Sequence, residues 1–313
     1  MQDSPRLDKV PHGIIQCPLT PFTSSNEIDL NLFQRGVEFL LAQRCEALCI
    51  NLHLAESLNL SLDERQKLAS AAIESSGRVP VIVNVSTPGT DHAVALAKHA
   101  ESVGAAAIMS ISPYYWKPPV DALYEHFAAI ISATSLPFIG YSSPTIMDGV
   151  GITPDLLVKL MTRFPQLIGV KEASHNWETY MNLGMAGRSV RPDFGLFVGT
   201  EWIVPSLTLG GVACMSIQSG ICPQLVSACF DATRAGDLVT AFPMQEKLAR
   251  MYALTKGEYP APTKAMWQIM GRPVGNPRLP NRPVTAERLK YLETELGKLG
   301  ILDSEPHGWG NAA

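Results

Sequence analysis

The chain has 313 residues, of which 46% are hydrophobic and 17% are charged, and its formal net charge is −4. This balance is typical of a globular enzyme with a large core, and it excludes an intrinsically disordered chain. The small negative charge gives no electrostatic basis for binding nucleic acid or an anionic membrane, so neither partner is expected.

Targeting and redox signals are also weak. No apolar run approaches the ~20 residues that a membrane-spanning helix needs, and the first residues lack the apolar segment of a secretory signal. None of the six cysteines forms a C-x-x-C pair, so buried reduced thiols are expected rather than a disulfide framework. The sequence therefore predicts a cytoplasmic protein.

Eight short apolar runs recur along the chain, and each is a candidate β-strand. They span residues 13–17, 47–51, 79–85, 105–111, 137–141, 167–171, 194–198 and 211–216. Most of these runs are continuously apolar rather than alternating, which is the pattern of parallel strands that are covered on both faces.

The segments between the runs carry helix signals. Ser61 and Glu64 form a capping box, and Thr153-Pro154 begins another helix. Eight strand–helix units predict the α/β fold class and, within it, a (β/α)8 TIM barrel over residues 13–222, since such barrels usually take about 250 residues. An open doubly wound sheet is the alternative, but no G-x-G-x-x-G follows the first strand to support it.

After Pro223 the strand signal stops. Residues 224–256 and 285–299 have a helical pattern, and a proline-rich connection separates them. We interpret residues 223–302 as a C-terminal helical extension packed on the barrel. Residues 1–12 and 303–313 are expected to be loose tails.

Lys171 ends the apolar run 167–170, at the edge of a barrel where active sites lie. Burial disfavours a charged ammonium, and the neutral amine is the nucleophile that Schiff-base chemistry requires. A lysine that simply reaches solvent is the alternative. Tyr141 ends the preceding strand about one barrel unit earlier, so the two side chains can lie at the same depth on neighbouring strands.

Several motifs occur together and in order: Pro18–Phe22, Ser112–Tyr115, Tyr141–Pro144 and Gly169–Ala173. In this combination the chain resembles the dihydrodipicolinate synthase / N-acetylneuraminate lyase family of class I aldolases, from about residue 13 to residue 300. The resemblance implies a TIM barrel with a helical extension, commonly a homotetramer built as a dimer of dimers. It also implies a 2-oxo acid substrate, usually pyruvate, and chemistry that needs no cofactor or metal.

The family roles are carried over to matching positions of this sequence. Lys171 matches the lysine that attacks the ketone of the 2-oxo acid, and Tyr141 matches the phenol that shuttles protons during imine formation. Tyr115 matches a tyrosine that reaches into the neighbouring subunit's site. The alternatives are a surface lysine, a core aromatic residue and an interface aromatic residue.

The loop after the second strand departs from the family pattern. The family usually has Gly-[Ser/Thr]-Thr-Gly-Glu there, whose hydroxyls and backbone N–H groups hold the substrate carboxylate, whereas residues 52–56 read Leu-His-Leu-Ala-Glu. Leu54 therefore lacks a hydroxyl at a substrate-binding position. His53 is a candidate proton carrier in its place, since its reference pKa of ~6.5 suits transfer near neutrality. A hydrogen bond within the loop is the alternative.

A second departure concerns Ile146, where dihydrodipicolinate synthases have an arginine that clamps the carboxylate of their second substrate. Isoleucine cannot form that contact, so we do not expect an enzyme of lysine biosynthesis. Gly199, Glu201 and Met215 match further substrate-lining positions. His53 and Glu56 have a spacing that a metal pair can use, but no third ligand is evident and no metal site is expected.

The sequence thus predicts a Schiff-base lyase or aldolase that takes a 2-oxo acid and an aldehyde. Two alternatives stay open. One is a dehydratase of a 2-oxo-3-deoxy sugar acid that uses the same imine. The other is a barrel that has lost catalysis and only binds an oxo acid.

Overall fold

The computed structural model describes residues 10–147 and 149–309. Within these ranges eight parallel strands close into a barrel in chain order, with β1 hydrogen-bonded to both β2 and β8. The strands are β1 Gly13–Gln16, β2 Ala47–Ile50, β3 Val81–Asn84, β4 Ala107–Ile111, β5 Phe138–Ser142, β6 Leu167–Glu172, β7 Gly195–Gly199 and β8 Ala213–Ser216. The predicted TIM barrel is therefore confirmed.

Helices alternate with the strands and then continue past the barrel. They are α1 Leu30–Leu41, α2 Leu62–Ser75, α3 Thr90–Ser102, α4 Val120–Ser132, α5 Pro144–Met147, α6 Pro154–Arg163, α7 Trp177–Val190, α8 Ile203–Thr208, α9 Pro223–Arg234, α10 Leu238–Leu254, α11 Ala261–Ile269, α12 Ala286–Lys298 and α13 Ile301–Ser304. None of the helices in the described ranges has the length and apolar character needed to cross a membrane.

Local chemistry explains where these elements begin. The predicted capping box is present, since the Ser61 hydroxyl accepts from the N–H of Glu64 while the Glu64 carboxylate accepts from the N–H of Ser61. Thr153 caps α6 ahead of Pro154. The strand predicted from Val79 begins two residues later, after Pro80, which has no N–H for the sheet ladder.

The C-terminal extension is more ordered than its proline content indicates. Between α10 and α12 the sequence predicts only a connection, but α11 forms there, with Pro262 in its first turn where a missing N–H is tolerated. Its residues 261–267 are all buried against the rest of the protein. The prolines therefore start a helix in this segment.

The prediction of a loose tail from residue 303 is wrong for the residues that the structure describes. The Glu305 carboxylate accepts hydrogen bonds from the N–H groups of Gln224 and Leu225, at the N-terminus of α9. Buried Arg272 donates to the carbonyls of residues 306 and 308, and the Trp309 ring packs edge-on against Trp267. Separate polar and aromatic contacts hold this segment. Contacts of this kind leave no hydrophobic periodicity in the sequence. At the other end Val10, expected in a loose tail, is also buried.

Candidate active site

A cavity of about 160 Å³ opens where the carboxyl ends of the strands meet the extension. Five of the residues singled out from the sequence line it, namely His53, Leu54, Tyr141, Lys171 and Gly199. As predicted, Tyr141 and Lys171 are direct partners in the register of β5 and β6. Because parallel strands end at the same edge of a barrel, residues from four separate loops and strands converge here.

Lys171 is only 4% exposed, and a lysine buried this deeply usually has a counter-ion. In the described ranges no carboxylate forms an ion pair with it. Its Nζ lies 4.0 Å from the centroid of the Tyr141 ring. The amine therefore faces the cavity and a phenol ring instead of an acid.

Gly199 makes room for this lysine. A Cβ at position 199 would lie 2.7 Å from Lys171 Cε and 2.6 Å from the Cβ of Ala173, both closer than carbon atoms normally approach. The end of β7 therefore has to be a glycine if the lysine side chain is to extend across it into the cavity.

His53 contacts the phenol from the β2 loop. Its Nδ1 lies 3.2 Å from Tyr141 Oη, and the two rings are nearly parallel, 19° apart, with centroids separated by 6.2 Å. The short 3-10 helix His53–Ala55 presents this ring, and Glu56 ends the turn in the left-handed region with φ 57°. The loop after β2 therefore brings His53 within hydrogen-bonding distance of the Tyr141 hydroxyl.

The expectation that His53 has a pKa near neutrality is wrong. Burial, helped by the positive charge of Lys171, lowers the pKa of His53 from its ordinary 6.5 to about 3. The imidazole is consequently neutral at physiological pH. A neutral imidazole can accept the phenol proton in a hydrogen bond or donate its own, but it does not carry a positive charge into the site.

The loop that carries His53 is tied to the extension by a buried ion pair. Lys264 Nζ lies 2.6 Å from Glu56 Oε1, and these side chains are 1% and 0% exposed. The second oxygen of Glu56 accepts from the N–H of Arg278, whose guanidinium binds Glu64 at the start of α2. Glu56 is therefore committed to α11 and the segment after it, rather than to a metal pair with His53.

Breaking this ion pair is expected to destabilise the fold strongly. We expect Lys264→Met or Glu56→Gln to lower the free energy of unfolding by about 3–5 kcal/mol, because each leaves an uncompensated buried polar group. Urea unfolding measures the effect. Lys298→Met is the matched control, since Lys298 and Glu295 form an exposed pair of the same type and should change stability by less than about 1 kcal/mol. Equal effects at the two sites would contradict this account.

The extension supplies the outer wall of the cavity, which the sequence analysis missed. Tyr252, Thr255, Lys256 and Tyr259 all line it, and the Tyr259 ring lies 5.6 Å from that of His53. One signal was available: Lys264 is a lone charge within the otherwise uncharged run 261–267. A charge in that context indicates a buried partner and hence a helix docked on the barrel.

Three candidate residues, Glu201, Met215 and Tyr115, do not line this cavity. The Glu201 carboxylate instead accepts hydrogen bonds from the Ser216 hydroxyl and from the N–H groups of residues 217 and 218, so it braces the turn after β8. Burial raises the pKa of Glu201 to about 7. Met215 is packed inside the barrel. Neither residue is part of the cavity lining, and their contact with substrate stays a prediction.

Tyr115 lies outside the cavity of its own chain. It is 79% exposed, with φ 72° and its ring edge-on to that of Trp116. The side chain of Ile146 falls outside the described part of the structure, so only its residue type enters the argument.

Comparison with known proteins identifies the family of this chain. The profile of the dihydrodipicolinate synthetase family matches residues 10–299. A 4-hydroxy-tetrahydrodipicolinate synthase from Methanopyrus kandleri is 31% identical over 294 residues, which cover 93% of this chain and 97% of the relative.

Solved structures give the same result. Dihydrodipicolinate synthase from Thermotoga maritima has a TM-score of 0.87 at 28% identity, covering 93% of this chain and 99% of that one. YagE, a prophage protein of the family from E. coli K12 solved in complex with pyruvate, has a TM-score of 0.88 at 25% identity with the same coverage. This chain therefore belongs to the dihydrodipicolinate synthetase family, and it is a class I lyase or aldolase of that family.

Proposed function

We propose that Lys171 forms a Schiff base with pyruvate or a closely related 2-oxo acid, and that the enzyme makes or breaks a carbon–carbon bond next to it. The observation that carries this proposal is a buried amine that forms no ion pair within residues 10–147 and 149–309 and faces a cavity, 4.0 Å from the ring of Tyr141. The similar protein YagE was solved with pyruvate bound, which supports the choice of oxo acid.

The chemistry balances with groups that the site contains. The Lys171 amine attacks the ketone carbon, and the carbonyl oxygen leaves as water, giving a protonated imine. The positive nitrogen accepts the electron pair of an adjacent C–H or C–C bond, so an enamine forms as a proton or an aldehyde departs. In the synthetic direction the enamine carbon attacks an aldehyde, and hydrolysis of the imine releases product and regenerates the amine.

Tyr141 is proposed to move the protons of these steps. Its hydroxyl can protonate the departing oxygen and receive the proton back, as a general acid and base within the site. His53 holds that hydroxyl at 3.2 Å and takes over the role of the family hydroxyl that is missing here. This contact favours a working enzyme over a barrel that only binds an oxo acid.

The second substrate is proposed to differ from that of the synthases. Although several relatives are named 4-hydroxy-tetrahydrodipicolinate synthase, position 146 is isoleucine in this chain. An arginine forms a paired, charge-assisted contact with a carboxylate, and an aliphatic side chain forms none. We therefore propose a lyase or aldolase with another aldehyde partner.

Tyr115 is proposed to act in a second copy of the chain. Its exposure at the edge of the barrel mouth supports a homo-oligomer in which each subunit lends this phenol to its neighbour. Such a chain would be active as a dimer or as a dimer of dimers.

Exchange of the pyruvate methyl protons tests the proposed function without knowledge of the aldehyde. In D₂O the enamine takes up deuterium each time it returns to the imine, so the methyl signal in the proton NMR spectrum should decay when enzyme is added. A methyl signal that decays no faster with enzyme than without it would contradict the proposal.

The pH dependence of this exchange probes His53. Because the pKa of His53 is about 3, its imidazole stays neutral from pH 5 to 8 and no inflection near 6.5 should arise from it. Between pH 3 and 6.5 the imidazole of His53 binds a proton in the unfolded chain but not in the folded one. The stability that His53 contributes to the fold is therefore lost as the pH falls through this window. His53→Asn should weaken that acid sensitivity, whereas exposed His92→Asn should not. An inflection near 6.5 that disappears only in His53→Asn would contradict the assignment.

A further inference from the structure

We infer that the aldehyde half of the cavity selects an apolar or aromatic aldehyde and rejects a polyhydroxylated one. This inference rests on the proposed function, because it concerns the second substrate of the same site. It follows from the side chains around Lys171 and from the hydrogen bonds that they already make.

Aliphatic groups form much of the wall. Leu52 and Leu54 line it from the β2 loop, Ala173 from the end of β6 and Ile217 from the end of β8. All four are buried residues of the core, less than a tenth exposed. A substrate hydroxyl placed against them would give up its water partners and gain none.

The two threonine hydroxyls of the wall already have partners. Thr200 Oγ1 lies 3.2 Å from His175 Nε2, and Thr255 Oγ1 donates to the carbonyl of Tyr252 at 2.7 Å. The imidazole of His53 is held by Tyr141. A substrate hydroxyl that bonds one of these groups would therefore have to share it with a contact inside the protein.

The extension adds two aromatic residues to the wall. Tyr252 and Tyr259 both line the cavity, and Tyr259 packs near the His53 ring at 5.6 Å. Aromatic rings contribute large apolar contact area and prefer other rings or flat apolar groups. The same wall argues against the dehydratase alternative, since a 2-oxo-3-deoxy sugar acid carries several hydroxyls.

Matched aldehydes test the inference at saturating pyruvate. Butanal and erythrose have the same number of carbon atoms and differ in hydroxyl groups, and benzaldehyde adds a ring. An unpaired buried hydroxyl weakens binding by about tenfold or more, so we expect kcat/KM for butanal and benzaldehyde to exceed that for erythrose at least about tenfold. The rate is measured as pyruvate consumption and is expressed per free aldehyde.

Two isosteric variants localise the effect to the wall. Threonine and valine have the same shape, but Ile217→Thr places a hydroxyl in the wall and Ile217→Val does not. The ratio of kcat/KM for butanal to kcat/KM for erythrose should therefore be lower in Ile217→Thr than in Ile217→Val, by about threefold or more. Equal ratios in the two variants would overturn the assignment of the wall as the selective element.

The remaining outcomes separate this inference from the proposed function. If erythrose reacts as well as butanal, or if no aldehyde is consumed while pyruvate still exchanges its methyl protons, the inference is overturned and the imine chemistry stands. If pyruvate does not exchange, the proposed function fails and this inference fails with it.

Discussion

Replacing Lys171 by methionine is expected to lower the rate of pyruvate exchange by at least about 10⁴-fold, because the variant removes the nucleophile of every later step. Methionine fills similar space without an amine. The fold should be kept, since Lys171 forms no ion pair within the described ranges. Methyl exchange by NMR, with circular dichroism as the check on folding, measures both effects.

The stability of the same variant distinguishes two kinds of buried lysine. A buried amine without a counter-ion stabilises the fold little, so Lys171→Met should leave the free energy of unfolding unchanged or raise it. Lys264→Met, which breaks the ion pair with Glu56, should lower it. A large loss of stability in Lys171→Met, with exchange retained, would mean that Lys171 is a structural residue.

Removing the hydroxyl of Tyr141 is expected to have the second largest effect. Tyr141→Phe keeps the ring against Lys171 but loses the proton carrier, so kcat should fall by about 10²–10⁴-fold. Binding of the oxo acid should change less, and the loss should therefore appear mainly in kcat.

Tyr180→Phe provides the control for this second substitution. Tyr180 is as buried as Tyr141, but its hydroxyl bonds Ser206 in the helical layer outside the barrel, and Tyr180 is not among the residues that line the cavity. This variant should lose some stability and keep its exchange rate. If Tyr180→Phe slows exchange as much as Tyr141→Phe does, the loss reflects general weakening of the fold and not a missing proton carrier.

The barrel and the pairing of Tyr141 with Lys171 were predictable because both depend on local, periodic signals. Continuous apolar runs between capped helices indicate parallel strands, and equal spacing along the chain brings Tyr141 and Lys171 into register. The sequence placed His53 in the β2 loop as a candidate proton carrier, but it predicted neither the contact with Tyr141 nor the burial that lowers the pKa of His53.

The outer wall was not predictable in the same way. Tyr252 lies on α10 and Tyr259 just before α11, so both reach the cavity through the docking of the extension on the barrel. The ion pair between the distant residues Lys264 and Glu56 contributes to that docking. The tail was missed for a similar reason, since Glu305 and Arg272 anchor it through hydrogen bonds to backbone groups. Such contacts leave no periodic pattern in the sequence.

The site joins two parts of the chain that have different tasks. The barrel supplies Lys171, Tyr141 and Gly199 at the ends of β5, β6 and β7, and the proposed imine depends on these residues. The extension supplies Tyr252 and Tyr259, which line the same cavity from outside the barrel. Changes in the extension should therefore alter the choice of aldehyde more than they alter pyruvate exchange.

Borohydride reduction in the presence of pyruvate, followed by peptide mapping, tests the central claim most directly. Reduction converts the imine into a stable secondary amine, so the account predicts a single pyruvyl adduct on the peptide that contains Lys171. Lys256 at the cavity edge and the ion-paired Lys264 should stay unmodified. An adduct on another lysine, or none at all, would contradict the assignment of Lys171 as the Schiff-base residue.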